Sequence, residues 1–172
     1  MNIQRLRVPL GFVVGLAALF MARPTGLSMI VGLPVALVGA AFRLLAAGTI
    51  HKNAQLATEG PYAWTRNPLY LGSSLLALGF AIMSASAISA ALLLAPSAIV
   101  YPKVIAREEA ELEDLFPEEF AEYRERTPVF FPRFRAARMT FSKSQYLANR
   151  EYNTALGFAA AMGVFVAKWW WG

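Results

Sequence analysis

The sequence predicts an all-α, polytopic membrane protein with about five transmembrane helices. Hydrophobic residues make up 57% of the chain and charged residues 16%. The mean hydropathy is +0.45, and no charged residue occurs from Leu69 to Pro102. These values lie outside the range of ordinary soluble domains. Because each span needs about 20 residues, the 172 residues are predicted to form a single domain, 1–172.

The first predicted span, residues 8–22, follows a basic leader that contains Arg5 and Arg7. It is shorter than the roughly 20 residues of a full span, so a secretory signal peptide is an alternative. A small-x-small cleavage site is missing before Arg23, and a basic leader serves a membrane anchor equally well. We therefore interpret this segment as a short first span.

The second predicted span, residues 27–50, carries one charge, Arg43. At a rise of about 1.5 Å per residue, Arg43 lies roughly 24 Å along the span and approaches the opposite interface. Its guanidinium either snorkels towards water or faces the bundle, where it would meet an anionic group or a carboxylate. The residues alone leave both interpretations open.

The uncharged stretch 69–102 is too long for one span and predicts two. We place them at 69–84 and 86–102, with a turn at the small residues Ser84, Ala85 and Ser86. A last span, 153–171, ends in three tryptophans, which is typical of a membrane interface.

The distribution of charge favours a lipid neighbour over a nucleic acid. The net charge is +5, and the basic residues flank the apolar segments, as in proteins that contact anionic lipid and obey the positive-inside rule. Five spans with a cytoplasmic N-terminus leave only Arg23 and Lys168 outside. We therefore predict an integral protein of the inner (cytoplasmic) membrane, surrounded by membrane lipids and without a nucleic-acid partner. The oligomeric state is left open.

The residue inventory excludes several kinds of chemistry. The chain has no Cys and one His, so disulfides, thiolate metal sites, a thiol nucleophile and multi-histidine metal sites are excluded. No metal is predicted. His51 is more often structural or interfacial in this position, and a contact with a cofactor is the minority interpretation.

The polar region 51–72 ends in the loop Gly60–Gly72, with the sequence GPYAWTRNPLYLG. Gly60-Pro61 is a turn signal, and Pro68 pushes the preceding residue out of helical geometry, so backbone donors and acceptors are left free for a ligand. Aromatic rings, Arg66 and Asn67 supply faces for a flat ring and hydrogen-bond donors. The alternative is a juxtamembrane connection with interface aromatics, which composition alone favours.

The polar region 103–133 is predicted to begin with a cytoplasmic amphipathic helix that extends the fourth span to Leu115. Glu108 falls in the middle of its apolar stripe and Glu109 at the edge. A carboxylate on an apolar face is costly to bury without a partner. Glu108 is therefore expected either to pair with Arg43 or Arg66, or to accept hydrogen bonds from a ligand. The stripe itself consists of Tyr101, Ile105, Leu112, Leu115 and Phe116.

Pro117 is predicted to start a further short helix, because proline suits the first helical position. Its acidic first turn and basic last turn match the helix dipole, and it presents Phe120 and Tyr123 on one side. Residues 127–134 then form an extended aromatic segment on the membrane surface. Residues 135–150 are basic and are expected at the cytoplasmic interface.

Two blocks of sequence carry a resemblance to a known family. GPYAWTRNPLYLG resembles the motif G-P-Y-x-x-x-R-H/N-P-x-Y-x-G of integral-membrane methyltransferases, which include isoprenylcysteine carboxyl methyltransferases and phospholipid N-methyltransferases. Residues Glu108–Tyr123, EEAELEDLFPEEFAEY, resemble the family's second block, E-E-x-x-L-x-x-x-F-G-x-x-Y-x-x-Y. The resemblance covers residues 43–133. The chain departs from the pattern at Asn67, where many members have His, at Pro117 in place of Gly, and at Phe120 in place of the first Tyr.

The resemblance implies methyl transfer from S-adenosylmethionine to a lipophilic small-molecule or lipid-modified substrate at the cytoplasmic interface. The reaction would be an isoprenylcysteine-type carboxyl O-methylation or a phospholipid-type N-methylation. An amine acceptor would need a base, for which a glutamate or Tyr123 is the candidate. Asn67 cannot serve, because it does not titrate near neutral pH.

The same resemblance implies a set of site residues. The cofactor-binding candidates are Gly60, Pro61, Tyr62, Arg66, Asn67, Pro68, Tyr70, Gly72, Glu108 and Glu109. Arg66 would hold the cofactor's carboxylate and a glutamate its polar hydrogens. The candidates for catalytic roles are Arg43, Glu109 and Arg126, with the two arginines as holders of an anionic headgroup.

Two other functions are compatible with the sequence. The first is a membrane reductase similar to the steroid 5-alpha-reductases, which combine several spans with a Pro/Tyr/Gly-containing loop and bind a nicotinamide cofactor. The compact RNPLYLG and the paired glutamates fit the methyltransferase pattern better. The second is a non-enzymatic membrane module whose loop packs helices. A G-x-G-x-x-G motif is missing from the chain, so a soluble dinucleotide-binding fold is not supported.

Overall fold

The computed structural model describes residues 3–50 and 55–171, and the regular structure in these ranges is helical. The elements are α1 (Ile3–Met21), α2 (Gly26–Thr49), a 3-10 turn (Gly60–Ala63), α3 (Pro68–Ser84), α4 (Ala87–Leu115), α5 (Pro117–Arg126), α6 (Lys143–Ala148) and α7 (Tyr152–Trp171). Each of the five predicted spans lies on one of these helices. The all-helical fold class is therefore confirmed.

Within the described ranges, two helices are long and apolar enough to cross a membrane, namely α2 and α4. Helix α3 is apolar but shorter. A helix of about 20 residues matches the thickness of the hydrocarbon core. Length and composition thus support two of the five predicted spans, while the other three are helices whose relation to the membrane stays a prediction.

The predicted turn between the third and fourth spans is confirmed. Helix α3 ends at Ser84, and Ala85 adopts φ 45°, in the left-handed region. Ser86 then caps α4, because its side chain accepts a hydrogen bond from the Ser89 N–H. The Ser89 hydroxyl in turn donates to the Ala18 carbonyl at 2.8 Å, which ties the start of α4 to α1.

Helix α4 runs without interruption from Ala87 to Leu115, past Pro96 and Pro102. This confirms the predicted extension of the fourth span beyond residue 102. The predicted short helix at Pro117 is also confirmed as α5, with Glu118 and Glu119 in the first turn and Phe120 and Tyr123 buried.

Helices α2 and α3 approach each other so closely that glycine backbones touch. A Cβ placed on Gly39 would lie 2.5 Å from the Leu76 nitrogen and 2.6 Å from the Gly72 oxygen. A Cβ on Gly79 would collide with the backbone of Ala36. Small residues that let helix backbones meet in this way are the usual interface between membrane helices. This packing fixes the position of α3, which carries part of the candidate site.

Replacing Gly39 by Leu is expected to destabilise the protein strongly, because the new side chain meets backbone atoms that have no room to move. Overpacking typically costs about 1–3 kcal/mol and sometimes more, and contact with backbone places this variant at the upper end. Thermal unfolding in detergent, followed by circular dichroism, measures the effect. Gly157→Leu is the control, since nothing lies within 4 Å of a Cβ there. Equal unfolding temperatures for the two variants would contradict the packing described.

The apolar core joins α1, α2, α3 and α7. Ala22, Ala36, Met83 and Phe165 are its fully buried members, and the Phe80 ring lies 5.5 Å from that of Phe165. At the same end of the molecule, the Lys168 ammonium donates to the carbonyls of Leu19 and Phe20 at 3.0 and 2.7 Å. These bonds satisfy carbonyls at the end of α1, which have no partner within the helix.

Residues 127–142, called the strap below, run without helix or strand alongside the loop that follows α2. Main-chain hydrogen bonds join the two at three points: Arg66 N–H to Pro128 O (2.9 Å), Arg133 N–H to Trp64 O (2.9 Å) and Gly60 N–H to Arg138 O (3.0 Å). Farther on, the Ser142 N–H donates to Gly48 O at 2.8 Å. The aromatic segment 127–134 therefore has no helix, but it bends at residues 129–131 where an extended chain was expected. It holds the irregular loop in place, and its position on the membrane surface stays a prediction.

Candidate active site

A cavity of about 460 Å³ lies between the end of α2, the loop, the start of α3, and helices α4 and α5. Its volume falls within the roughly 300–1,000 Å³ of ligand pockets. The structure brings eight of the predicted site residues to its wall: Arg43, Tyr62, Arg66, Asn67, Pro68, Tyr70, Glu108 and Glu109.

Four predicted site residues do not line this cavity. Gly60 has φ +56°, and a Cβ there would also come within 3.1 Å of the Thr49 hydroxyl, so glycine is needed for the turn. Pro61 is buried in the 3-10 turn. Gly72 packs against Arg43 and Gly39 at the interface between α2 and α3. Arg126 is exposed on α5 and pairs with Glu122 one turn earlier. His51 lies outside the described residues.

Glu108 is held by Tyr70. The Tyr70 hydroxyl donates to Glu108 Oε1 at 2.6 Å, and the Tyr70 ring lies 5.0 Å from that of Tyr101. The expected pairing of Glu108 with Arg43 or Arg66 is corrected by this geometry, because those arginines pair with Glu151 and Glu109. Tyr70 lies in the first turn of α3, so its hydroxyl bond to Glu108 joins the start of α3 to α4.

Arg66 keeps unused donors beside the cavity. Its Nε lies 3.2 Å from Glu109 Oε1, and its side chain is 8% exposed. This distance brings the charges together, but the N–H geometry is not that of a hydrogen bond. Both Nε and Nη1 are buried without a hydrogen-bond partner among the described residues. Such groups cost free energy until something accepts their protons.

Asn67 positions Glu109. Its side-chain amide donates to Glu109 Oε1 at 3.3 Å and to the Val129 carbonyl of the strap at 3.0 Å. The residue is 7% exposed. Asn67 therefore orients a carboxylate of the cavity wall, a role that needs a fixed amide donor and no titration near neutral pH.

Two tyrosines of the wall differ in how their hydroxyl groups are used. The Tyr123 hydroxyl donates to the Tyr62 carbonyl at 2.8 Å, whereas the Tyr62 hydroxyl is buried without a partner among the described residues. Burial raises the pKa of both groups, and in Tyr62 the neighbouring Tyr123 and Glu108 raise the pKa further. Both hydroxyls therefore stay protonated at neutral pH. Tyr123 is thus a poor base, and Tyr62 is a free donor.

The charges on the wall favour a cationic ligand. Arg43 is neutralised by Glu151, which makes two hydrogen bonds to it at 2.7 and 2.8 Å. Of the remaining charged residues on the cavity, Arg66 lies beside Glu109, Glu108 accepts a hydrogen bond from Tyr70, and Glu111 pairs outside with Arg107 at 2.8 Å. Carboxylates therefore outnumber unpaired guanidinium groups around the ligand space. In the described part of the chain, no group of three His, Cys, Asp or Glu residues is placed to hold a metal ion.

Sequence reasoning missed Glu151, Gln55 and Ser73. Gln55 and Ser73 line the cavity, and Glu151 is the partner of Arg43. The sequence gives only a general signal for Glu151, because a charged residue within a predicted span calls for a partner of opposite charge but does not say where in the chain that partner lies. Glu151 directly precedes α7, and its carboxylate pairs there with Arg43.

Comparisons with known proteins identify the family of the chain. The family model for phospholipid methyltransferases matches residues 26–119, more than half of the chain. A segment of 104 residues, 60% of the chain, is 40% identical to the cobalt-zinc-cadmium resistance protein CzcN of Cupriavidus metallidurans. A segment of 98 residues, 57% of the chain, is 41% identical to the nickel-cobalt-cadmium resistance protein NccN of Alcaligenes xylosoxydans.

These segments cover 48% and 44% of the two relatives, so the chain matches about half of each. No solved structure gives a significant match. The matched family segment contains α2, the loop, α3, α4 and the start of α5, and thus nearly all of the cavity wall. The resemblance found in the two sequence blocks is thereby confirmed: the chain belongs to the phospholipid methyltransferase family.

Proposed function

We propose that the cavity binds S-adenosylmethionine and that the protein transfers its methyl group to a lipophilic acceptor at the membrane interface. One observation carries this proposal most directly. Within the segment that defines the family, the Tyr62 hydroxyl and the Arg66 Nη1 are buried without a partner among the described residues. Buried donors of this kind are satisfied in nearly all proteins, and a ligand that accepts hydrogen bonds in the cavity would satisfy them.

The residues present fit this cofactor. Arg66 offers its unused donors to a carboxylate, which is its preferred partner. Glu108 and Glu109 offer carboxylate oxygens to hydroxyl or amino hydrogens and attract the positive sulfonium. The excess of carboxylates suits a ligand with net positive charge.

The same charge balance disfavours the reductase alternative. A nicotinamide cofactor brings several phosphate charges, which proteins hold with cations, helix N-termini or glycine-rich loops. The donors of Arg43 are used by Glu151 and its other neighbours. Arg66 alone would therefore have to bind several phosphates, in a cavity that also contains two glutamates.

Catalysis by these residues rests on orientation and on exclusion of water. When bound, the cofactor would supply an electrophilic methyl group, whose bond to sulfur breaks as a lone pair of the acceptor bonds to the methyl carbon, with S-adenosylhomocysteine as the leaving group. Tyr62, Arg66 and Glu108 hold the ligand in one position, which lowers the entropic part of the barrier. Phe120, Leu112 and Leu115 line the apolar side of the cavity, and a ligand packed against them would keep water from the reacting atoms.

A second, apolar groove supports the lipophilic nature of the acceptor. Its volume is about 450 Å³, and it shares Tyr101 and Glu109 with the first cavity. Its remaining lining is Ser97, Pro102, Ile105, Ala106, Val129 and Phe130. The groove gives a hydrocarbon chain a path along α4 to the place where the methyl group is offered.

The proposal includes the membrane topology. Five spans with a cytoplasmic N-terminus place the loop and the amphipathic end of α4 on the cytoplasmic side, where S-adenosylmethionine is available. The basic residues of the strap then lie beside anionic lipid headgroups.

Calorimetry on the detergent-solubilised protein is expected to detect binding of S-adenosylhomocysteine and none of NADPH, for the charge reason given above. Preference for NADPH would establish the reductase instead. Binding of neither compound by protein with a cooperative thermal transition would favour a non-enzymatic membrane module. A positive result leads to a methyl-transfer assay with carboxyl and amine lipid acceptors, which decides between O- and N-methylation.

A further inference from the structure

Arg43 is fixed on the cavity wall by a carboxylate from the C-terminal part of the chain. Glu151, which directly precedes α7, accepts hydrogen bonds from Arg43 Nε at 2.7 Å and from Nη2 at 2.8 Å. The side chains are 8% and 22% exposed for Glu151 and Arg43. Two parallel hydrogen bonds of this kind fix the orientation of the guanidinium as well as strengthening the ion pair.

The other donors of Arg43 are also used. Nη2 donates to the Thr154 hydroxyl at 3.1 Å, and Nη1 donates to the Ser73 hydroxyl and the Leu69 carbonyl. A guanidinium has five N–H donors, and these contacts occupy all of them. Arg43 therefore lines the cavity without a free donor for an anionic headgroup, which differs from the role expected from the sequence.

Glu151 is held in place independently of Arg43. Asn149 donates from its side-chain amide to the carbonyls of Ala47 and Ile50 at 2.9 and 3.3 Å, which satisfies the end of α2. The Glu151 N–H donates to the Tyr146 carbonyl at 3.3 Å. The short α6 and the residues after it are thus docked on the end of α2, and they present a rigid carboxylate to Arg43.

We propose that Glu151 is a positioning residue of the cavity, which acts through Arg43 and keeps its guanidinium from turning to Glu108. The Arg43 side chain is mostly buried, and a charge in such a place is unfavourable without its partner, so without Glu151 we expect the guanidinium to turn to Glu108, which lines the same cavity. That pairing would cancel the negative charge of Glu108 on the side of the cavity that faces the ligand. Glu151 lies outside the segment 26–119 that matches the family. The inference rests on the proposed function only for the identity of the ligand.

The first test measures ligand affinity in the full chain by calorimetry with S-adenosylhomocysteine. Glu151→Gln is expected to weaken binding about tenfold or more, as loss of an orienting partner does at metal sites. Glu151→Asp keeps the charge and restores part of the affinity. In an Arg43→Ala background, Glu151→Gln causes no further loss, because residues that act as a unit are not additive. Glu125→Gln, an exposed acid on α5, is the control.

The second test needs no ligand. Phenylglyoxal modifies accessible guanidinium groups, and mass spectrometry of the Arg43 peptide reports the extent. We expect Arg43 to be protected in the native protein and in Glu125→Gln, and to react in Glu151→Gln. If Glu151→Gln does not fold, Glu151→Asp decides in its place, with partial reaction and partial loss of affinity.

Unchanged protection of Arg43, unchanged affinity, or additive losses in the double variant would each overturn the inference. The two tests also separate this inference from the proposed function. If the native protein does not bind S-adenosylhomocysteine, the proposed function fails, while the labelling still decides whether Glu151 holds Arg43.

Discussion

Replacing Tyr62 by Phe is expected to weaken the binding of S-adenosylhomocysteine about 10- to 100-fold, the loss of a hydrogen bond to a charged group. The same change is expected to raise the stability of the ligand-free protein. The Tyr62 side chain is 6% exposed, and its hydroxyl has no partner in the described structure. An unsatisfied buried hydroxyl costs roughly 1–3 kcal/mol, and Phe removes that cost while keeping the ring.

The two effects have opposite signs, and this makes the prediction specific. Calorimetry measures the affinity, and the thermal midpoint without ligand measures the stability. Tyr123→Phe is the matched control, because its hydroxyl donates to the Tyr62 carbonyl at 2.8 Å. Loss of that bond is expected to lower stability by about 1 kcal/mol. A lower midpoint for Tyr62→Phe would mean that its hydroxyl has a structural partner.

Replacing Arg66 by Ala is expected to abolish measurable binding of S-adenosylhomocysteine. The guanidinium is 8% exposed, it lies 3.2 Å from Glu109, and its carbon lies 5.9 Å from the centre of the Phe120 ring. Without it, the cofactor's carboxylate loses its donors and also faces the unbalanced charge of Glu109. Removing one partner of a buried ion pair costs about 3–5 kcal/mol. A loss of binding free energy of that size corresponds to a loss of more than about 100-fold in affinity.

Arg66→Lys keeps the charge but loses the planar fork of donors, so an intermediate affinity is expected. Arg107→Ala is the control, because the Arg107 side chain is 74% exposed and its partner in the described structure is its helix neighbour Glu111. Thermal unfolding of each variant shows whether the fold is retained. Normal binding by a folded Arg66→Ala protein would remove Arg66 from the site and weaken the proposed function.

Much of this fold follows from local sequence. The turn at Ser84–Ser86 and the helix that starts at Pro117 were predicted because small residues and prolines act on their immediate neighbours. The packing of α2 on α3 was not predicted, because Gly39 and Gly79 show their role only when two distant backbones meet. Gly72 is therefore a predicted cofactor-binding residue that instead packs against Arg43 and Gly39 in the structure.

The candidate site divides in the same way. Tyr62, Arg66 and Asn67 were found because they are adjacent in one motif, and Glu108 because a carboxylate interrupts an apolar stripe. The partner of Arg43 was not found, because Glu151 is 108 positions away and no local pattern marks it. Contacts that close long loops depend on the whole fold, and a single sequence gives little information about them.

The strap also bears on how this protein can diverge in evolution. Its three bonds to the loop are made by backbone N–H and C=O groups, which every residue except proline supplies in full. Substitutions in the strap that keep these main-chain bonds and the bond from the Arg135 side chain to the Ala63 carbonyl can therefore accumulate without releasing the loop, provided that the chain keeps its length and direction. Two homologues can therefore both have a strap bonded to the loop and yet show no recognisable sequence similarity within the strap. Sequence alignments will then end the domain before the last residues that the folded structure needs.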